Sequence, residues 1–140
     1  MKTPLSQVLL IDDNPDDNYL HKRVIDRAGI AEKVMVVQSG KEALDYFDKI
    51  LHEDGIEGWP QLVFLDINMP KMNGWELLAN FEKRFGQLNA PIIITMLTSS
   101  SLEEDIERSE SQKCVSSFLN KPLTREMLDQ LLESHFAEGD

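Results

Sequence analysis

The sequence predicts an α/β domain, a doubly wound parallel sheet with helices on both faces. Three observations carry that prediction. Short unbroken apolar runs recur along the chain, segments of helical spacing separate them, and the two alternate strictly through five units. A run without polar alternation is what a strand covered on both faces requires. Right-handed crossovers then return each helix onto the sheet.

The first run is Val8-Leu9-Leu10-Ile11. Asn14-Pro15 follows, a capping residue and a proline at the first helical position, with Asp16 and Asp17 favourable at the helix's positive end. Leu20, Val24 and Ala28 recur at helical spacing, and Gly29 ends the helix. The second run, Val34-Met35-Val36-Val37, leads to a capping box at Ser39-Gly40-Lys41-Glu42. Ala43, Leu44, Phe47, Ile50 and Leu51 share one face of the helix it opens. His52 to Gln61 is polar and glycine-containing, and reads as a surface loop.

The third run is Leu62-Val63-Phe64-Leu65, and Leu78, Phe81 and Phe85 mark a helix after Gly74. The fourth, Ile92-Ile93-Ile94, continues to Leu97. Ser101-Leu102-Glu103-Glu104 has the form of another capping box, opening a helix to about Gln112 whose only strong apolar residue is Ile106. A weaker fifth run, Phe118-Leu119, precedes a last helix with Leu128, Leu131 and Leu132. One domain over residues 5–136 is expected, with no output domain after it.

At 140 residues the chain is long enough for one hydrophobic core and short for two. A formal net charge of −11 repels a phosphate backbone, so nucleic acid is not an expected partner. Cys114 is the only cysteine, which excludes an intrachain disulfide and a thiolate metal cluster. No run approaches membrane-spanning length, and Met1 to Gln7 has no apolar leader. A cytoplasmic protein with no membrane partner is expected.

In an open α/β sheet, ligands bind outside the carboxyl ends of the strands, where the strand order reverses. The first run ends in Asp12-Asp13 and the third in Asp66. If those strands are neighbours, three carboxylates crowd together and their repulsion demands a cation. Oxygen-only ligands suit a hard divalent ion such as Mg²⁺. The fourth run delivers Thr98 and Ser99 to the same edge, and the fifth delivers Asn120-Lys121-Pro122. Carboxylates, a hydroxyl and a lysine make a site for handling a phosphoryl group, with Asp66 as nucleophile.

Each feature alone has a plainer explanation. An Asp-Asp pair before a helix is commonly a cap, and a strand-end Asp a turn former. Lys121-Pro122 alone reads as a surface turn, and Thr98 with the serines after it as helix capping. Their joint occurrence at successive strand ends is what points to chemistry. His21, His52 and His135 fall on helices or in a loop and are expected to be exposed and non-catalytic.

The segments Leu9-Leu10-Ile11-Asp12-Asp13, Leu65-Asp66-Ile67-Asn68-Met69-Pro70, Asn73-Gly74, Leu97-Thr98-Ser99 and Lys121-Pro122 resemble the CheY-like receiver family of two-component response regulators. The resemblance covers nearly the whole chain. It implies the strand order 2-1-3-4-5, with Asp66 as phosphoacceptor. It also implies Mg²⁺ bound directly by Asp13 and Asp66, by Asp12 mainly through water, and by the backbone carbonyl of Asn68. Thr98 would be the switch hydroxyl, Lys121 the permanent cationic contact and Phe118 the rotameric aromatic, with a cis bond between Lys121 and Pro122.

The implied partners are a sensor histidine kinase or phosphotransfer protein, which supplies the phosphoryl group, and a downstream protein effector. Monomer or weak homodimer is the implied assembly. Such a protein is a phosphoacceptor switch rather than an enzyme, catalysing at most its own phosphorylation and dephosphorylation. Signal output is expected at the surface made by the Leu102–Gln112 helix, the Phe118 strand and the Thr124–His135 helix, because the first of these has so little apolar face to hold it.

Two departures from the family stand out. Phe118 lacks the hydroxyl of the tyrosine often found there, and the segment from Thr98 to Lys121 is slightly long, which leaves Ser99 as an alternative switch hydroxyl. A haloacid-dehalogenase-type phosphohydrolase would need a second Asp two positions after the nucleophile, where this chain has Asn68. No Gly-x-x-x-x-Gly-Lys-[Ser/Thr] occurs, which excludes a P-loop nucleotidase. A non-phosphorylated scaffold would typically have lost a pocket residue, and all are present. A phosphorelay intermediate or phosphate sink shares the same residues and is not separated from an output regulator by sequence.

Overall fold

The strands β1 (Val8–Ile11), β2 (Val34–Val37), β3 (Leu62–Leu65), β4 (Ile93–Thr98) and β5 (Val115–Asn120) pair in parallel in the order β2-β1-β3-β4-β5. The computed structural model describes residues 5–99, 107 and 115–136. The helices are α1 (Pro15–Ala28), α2 (Gly40–Asp54), α3 (Gly74–Phe85) and α4 (Arg125–His135). The helix expected over Leu102–Gln112 lies outside the described residues, Glu107 apart. No helix among the described residues is long and apolar enough to cross a membrane.

All residues of β1 and β3 are buried, as their unbroken apolar runs require. Alternate side chains feed two cores. Leu9, Ile11, Val63 and Leu65 pack with α2 and α3, whereas Val8, Leu10, Leu62 and Phe64 pack with Ile25 of α1 and with Leu128 and Leu131 of α4. The β1–β3 register pairs Val8 with Leu62 and Ile11 with Leu65, so the residues one step further, Asp12 and Asp66, emerge side by side.

The helix starts follow the sequence closely. Asn14 accepts from the backbone N–H of Asp16 and Asp17 at 2.9 and 3.2 Å, and Gly29 closes α1 at φ 63°. Ser39 caps α2 by accepting from the N–H of Glu42, but the Glu42 carboxylate returns to the N–H of Gln38 rather than of Ser39. A complete capping box opens α3 instead, between Asn73 and Glu76, with both bonds at 2.9 Å.

Two expectations are corrected. The stretch from His52 to Gln61 is not simply a surface loop. The helix α2 continues to Asp54, a short 3₁₀ turn spans Ile56–Gly58, and Trp59 is buried. Its indole N–H donates to the carbonyl of Phe47 at 2.9 Å, and its ring meets Phe47 and Phe85 edge-on at 5.1 and 5.2 Å. One large ring with a satisfied donor outweighs the polar residues around it. The buried face of α1 is also not the one read from Leu20. It carries Asn18, His21 and Ile25, while Leu20 is 51% exposed.

Candidate functional site

The hydrogen-bond ladder continues one residue past the strands on either side of the crevice. The N–H of Asp12 donates to the carbonyl of Val37 at 3.2 Å, and that of Asp66 to the carbonyl of Ile11 at 2.9 Å. Both carboxylates therefore leave the sheet at one edge, with Asp13 beside them. One oxygen from each of Asp12, Asp13 and Asp66 lies within 4.8 Å of the others. Asp12 and Asp66 are buried and Asp13 is exposed.

Asp12 is the most engaged of the three. It accepts from the N–H of Asn14 at 3.0 Å through Oδ1 and from Lys121 Nζ at 2.6 Å through Oδ2. Its backbone carbonyl accepts from the Asn18 amide at 2.8 Å. Lys121 reaches two further carboxylates, Asp17 at 2.7 Å and Asp66 at 3.5 Å. Burial and the neighbouring Asp12 push the Asp66 carboxyl up to about 6, against the pull of Lys121, with Asp13 adding to the rise. Burial opposes the charge of Lys121, yet its bonds to Asp12 and Asp17, with Asp66 nearby, hold the ammonium above its ordinary range.

Thr98 is the last residue of β4 and fully buried, whereas Ser99 is exposed. The carbonyl of Thr98 accepts from the N–H of Lys121 at 2.7 Å, which ties the ends of β4 and β5 together. Phe118 stands beside Met96 in the β4–β5 register, half-buried against the core under α2 and α3. The bond between Lys121 and Pro122 is cis. Asn68 is exposed, two residues beyond Asp66.

The loop after Asp66 is held by a close backbone approach. The N–H of Gly74 donates to the carbonyl of Ile67 at 2.8 Å. A Cβ at Gly74 would stand 2.7 Å from the carbonyl oxygen of Asp66 and 2.9 Å from the Cα of Ile67. Both obstacles are backbone, so neither can rotate away. Gly74→Ala is expected to lower stability by roughly 1–3 kcal/mol, as overpacking does. Urea denaturation checks it, and a midpoint equal to the parent's would show that the loop yields freely.

The expectation for the histidines is corrected at His21, which is 3% exposed. Burial lowers its proton affinity, Lys121 lowers it further, and Asp17 and Asp12 partly offset them. Its place on the buried face of α1 follows from Asn18, one turn earlier, being drawn to the carbonyl of Asp12. His52 is exposed, as expected, and His135 is half-buried with its ring 3.2 Å from the Ser117 hydroxyl.

One member of the site escaped the sequence. Asp17 appeared there only as a favourable charge at a helix start, yet it is a full partner of Lys121. The signal lay in the Asn14 cap, which fixes the first turn of α1 directly after Asp12-Asp13 and so holds Asp17 at the same edge.

The donor set fits a hard divalent cation. Three carboxylates, Asp12, Asp17 and Asp66, pair with the ammonium of Lys121, and Asp13 joins Asp12 and Asp66 in bringing oxygens within 4.8 Å of one another. Those donors are all oxygen, and the excess negative charge is what such an ion would neutralise.

A doubly wound parallel sheet with a carboxylate cluster and a lysine at its switch point defines a receiver-type domain. The response regulator receiver domain family matches residues 8–133, and the chain belongs to that family. It is 37% identical over 126 residues to the probable methanogenesis regulatory protein FilR2 of Methanothrix harundinacea, covering 90% of this chain and 78% of that protein. The crystal structure of a two-component response regulator from Cytophaga hutchinsonii superposes with a TM-score of 0.89 at 32% identity, covering 97% of this chain and all of the other. The bacteriophytochrome response regulator AtBRR superposes with a TM-score of 0.76 at 30% identity, covering 99% of this chain and 97% of that one. The strand order implied by the resemblance is the one observed. Receiver domains take phosphoryl groups from histidine kinases or phosphotransfer proteins and generally bind Mg²⁺ at an acidic pocket.

Proposed function

We propose that this chain is a response-regulator receiver that accepts a phosphoryl group on Asp66 in a Mg²⁺-dependent step. The observation that carries this reading is the position of Asp66. It is a buried carboxylate at the switch point, beside Asp12 and Asp13 and 3.5 Å from Lys121. An oxygen of Asp66 attacks the phosphorus of a phosphohistidine on a partner kinase or phosphotransfer protein. The O–P bond forms as the P–N bond breaks, and the electron pair stays on the imidazole nitrogen, which is protonated on the donor's side. Lys121 draws to the phosphoryl oxygens, and Thr98 supplies a hydroxyl to them. Asp12, Asp13, Asp66 and the carbonyl of Asn68 would hold Mg²⁺, which neutralises charge on the transferring group.

The protein is then a phosphoacceptor switch rather than an enzyme with a turned-over substrate. Asn68, which cannot act as an acid or base, supports that reading over a phosphohydrolase. Incubation with Mg²⁺ and acetyl phosphate, followed by mass spectrometry of the intact chain and its peptides, tests it. One phosphoryl group on Asp66 is expected, and label confined to other residues would refute it.

Output is proposed at the surface made by β5 and α4. Thr98 and Lys121 share a backbone hydrogen bond, so a shift at either moves the ends of β4 and β5 together. Phe118 lies one alternation back from Asn120 on β5, where its ring can follow Thr98. Amide exchange with and without a beryllofluoride mimic should differ over residues 97–118. Changes confined to the loop after Asp66 would place output elsewhere.

A further inference from the structure

We infer that Asp17 is a positioning residue that holds Lys121 back from Asp66 before phosphorylation, so that the loss of this bond is part of the switching step. The inference rests on the reading of Asp66 as phosphoacceptor. A lysine ammonium has three donors and no acceptor. Two are committed at short range, to Asp12 at 2.6 Å and to Asp17 at 2.7 Å. Asp66, the group that most needs a counter-charge after phosphorylation, is the furthest of the three at 3.5 Å.

The three carboxylates do not stand in the same relation to the lysine. Asp12 and Asp66 leave adjacent strands in register, so an ammonium moving toward Asp66 need not lose Asp12. Asp17 belongs to the first turn of α1, where its backbone N–H is tied to the Asn14 side chain. Its carboxylate reaches the lysine from the helix rather than from a strand end. A phosphoryl group on Asp66 adds negative charge beside the lysine, and a point charge on a flexible stem moves to it. The bond to Asp17 is the one that competes with that movement. The lysine side chain is 11% exposed and that of Asp17 is 30% exposed, so the pair is partly shielded from solvent and the competition is not erased by screening.

The test compares initial rates of acetyl phosphate labelling, with Mg²⁺, for the parent and for Asp17→Asn. Loss of one charge-assisted competitor is expected to raise the rate roughly three- to tenfold. Asp16→Asn is the control, since Asp16 sits in the same helical turn, is exposed and is not bonded to Lys121. It removes the same charge from the helix start and should leave the rate within about twofold. Asp17→Ser is measured alongside, so that poor folding of one variant does not decide the result.

The decisive readout is the Lys121→Gln background. There the Asp17→Asn gain should disappear, because Asp17 acts through the lysine. A rate that is unchanged or lower in both Asp17 variants overturns the inference, as does a gain of equal size with Lys121 absent. In either case, label on Asp66 in the parent leaves the proposed function standing. If the parent takes no label on Asp66, the proposed function fails and the inference falls with it.

Discussion

An Asp66→Asn protein should take up no phosphoryl group from acetyl phosphate and Mg²⁺ under conditions that label the parent. The amide keeps the volume and the fold position but loses the nucleophilic oxygen. Asp12 and Asp13, although within 4.8 Å, are not equivalent substitutes. Asp12 is occupied by Lys121 and the N–H of Asn14, and Asp13 is exposed. Label at parental levels in the variant would refute the assignment.

The same variant should report the electrostatic cost of the pocket in metal-free buffer. The carboxyl of Asp66 is pushed up from an ordinary value of 3.8 to about 6, by burial first and by Asp12 second. A carboxyl raised in the folded state binds its proton more tightly there than in the unfolded chain. Its contribution to stability is therefore complete below pH 3.8 and is lost as pH rises through about 6. Asp66→Asn has no such loss. Its advantage over the parent should be near zero at the acid end and reach roughly 2–3 kcal/mol above the upper value. Denaturation in chelator across that range checks this, and a constant difference would mean that Asp66 does not titrate as its surroundings dictate.

How much of this was legible in the sequence depends on the range of the interactions that decide it. The runs of β1 and β3 and the cap at Asn14 are written in neighbouring residues, and the structure follows them. The strand order is not, because pairing β1 with both β2 and β3 joins segments far apart in the chain, and only the family resemblance supplied it. The gathering of Asp12, Asp13, Asp66 and Lys121 at one edge followed once order and strand ends were combined.

Misreadings came where tertiary contacts overrode local character. Trp59 was lost in a polar stretch because its partners, Phe47 and Phe85, lie on other elements. The buried face of α1 was read from its aliphatic residues. It is instead set by Asn18 and His21 together with Ile25, and the Asn18 amide can be buried because the carbonyl of Asp12 accepts from it. The fourfold partnership of Lys121 with Asp12, Asp17, Asp66 and the Thr98 carbonyl needed four other elements, β1, α1, β3 and β4, to be placed at once.

Asp13→Ala should weaken Mg²⁺ binding by at least about tenfold without making the metal-free protein easier to unfold. Even outer partners of metal ligands are worth tenfold or more in affinity, and Asp13 is expected to be a direct ligand. The stability half of the prediction comes from the difference between two adjacent carboxylates. Asp12 is buried and binds Lys121 and the N–H of Asn14, so its removal would take the shortest partner from a buried ammonium and uncap a backbone donor. Asp13 is exposed, and its charge acts on Asp66 by repulsion. Taking it away relieves that repulsion, so the metal-free melting temperature should stay level or rise, whereas Asp12→Ala should lower it. Calorimetric titration with Mg²⁺ and melting in chelator measure the two halves separately. Parental Mg²⁺ affinity in Asp13→Ala would place the cation elsewhere, and a lowered melting temperature would mean that Asp13 holds the fold rather than the metal.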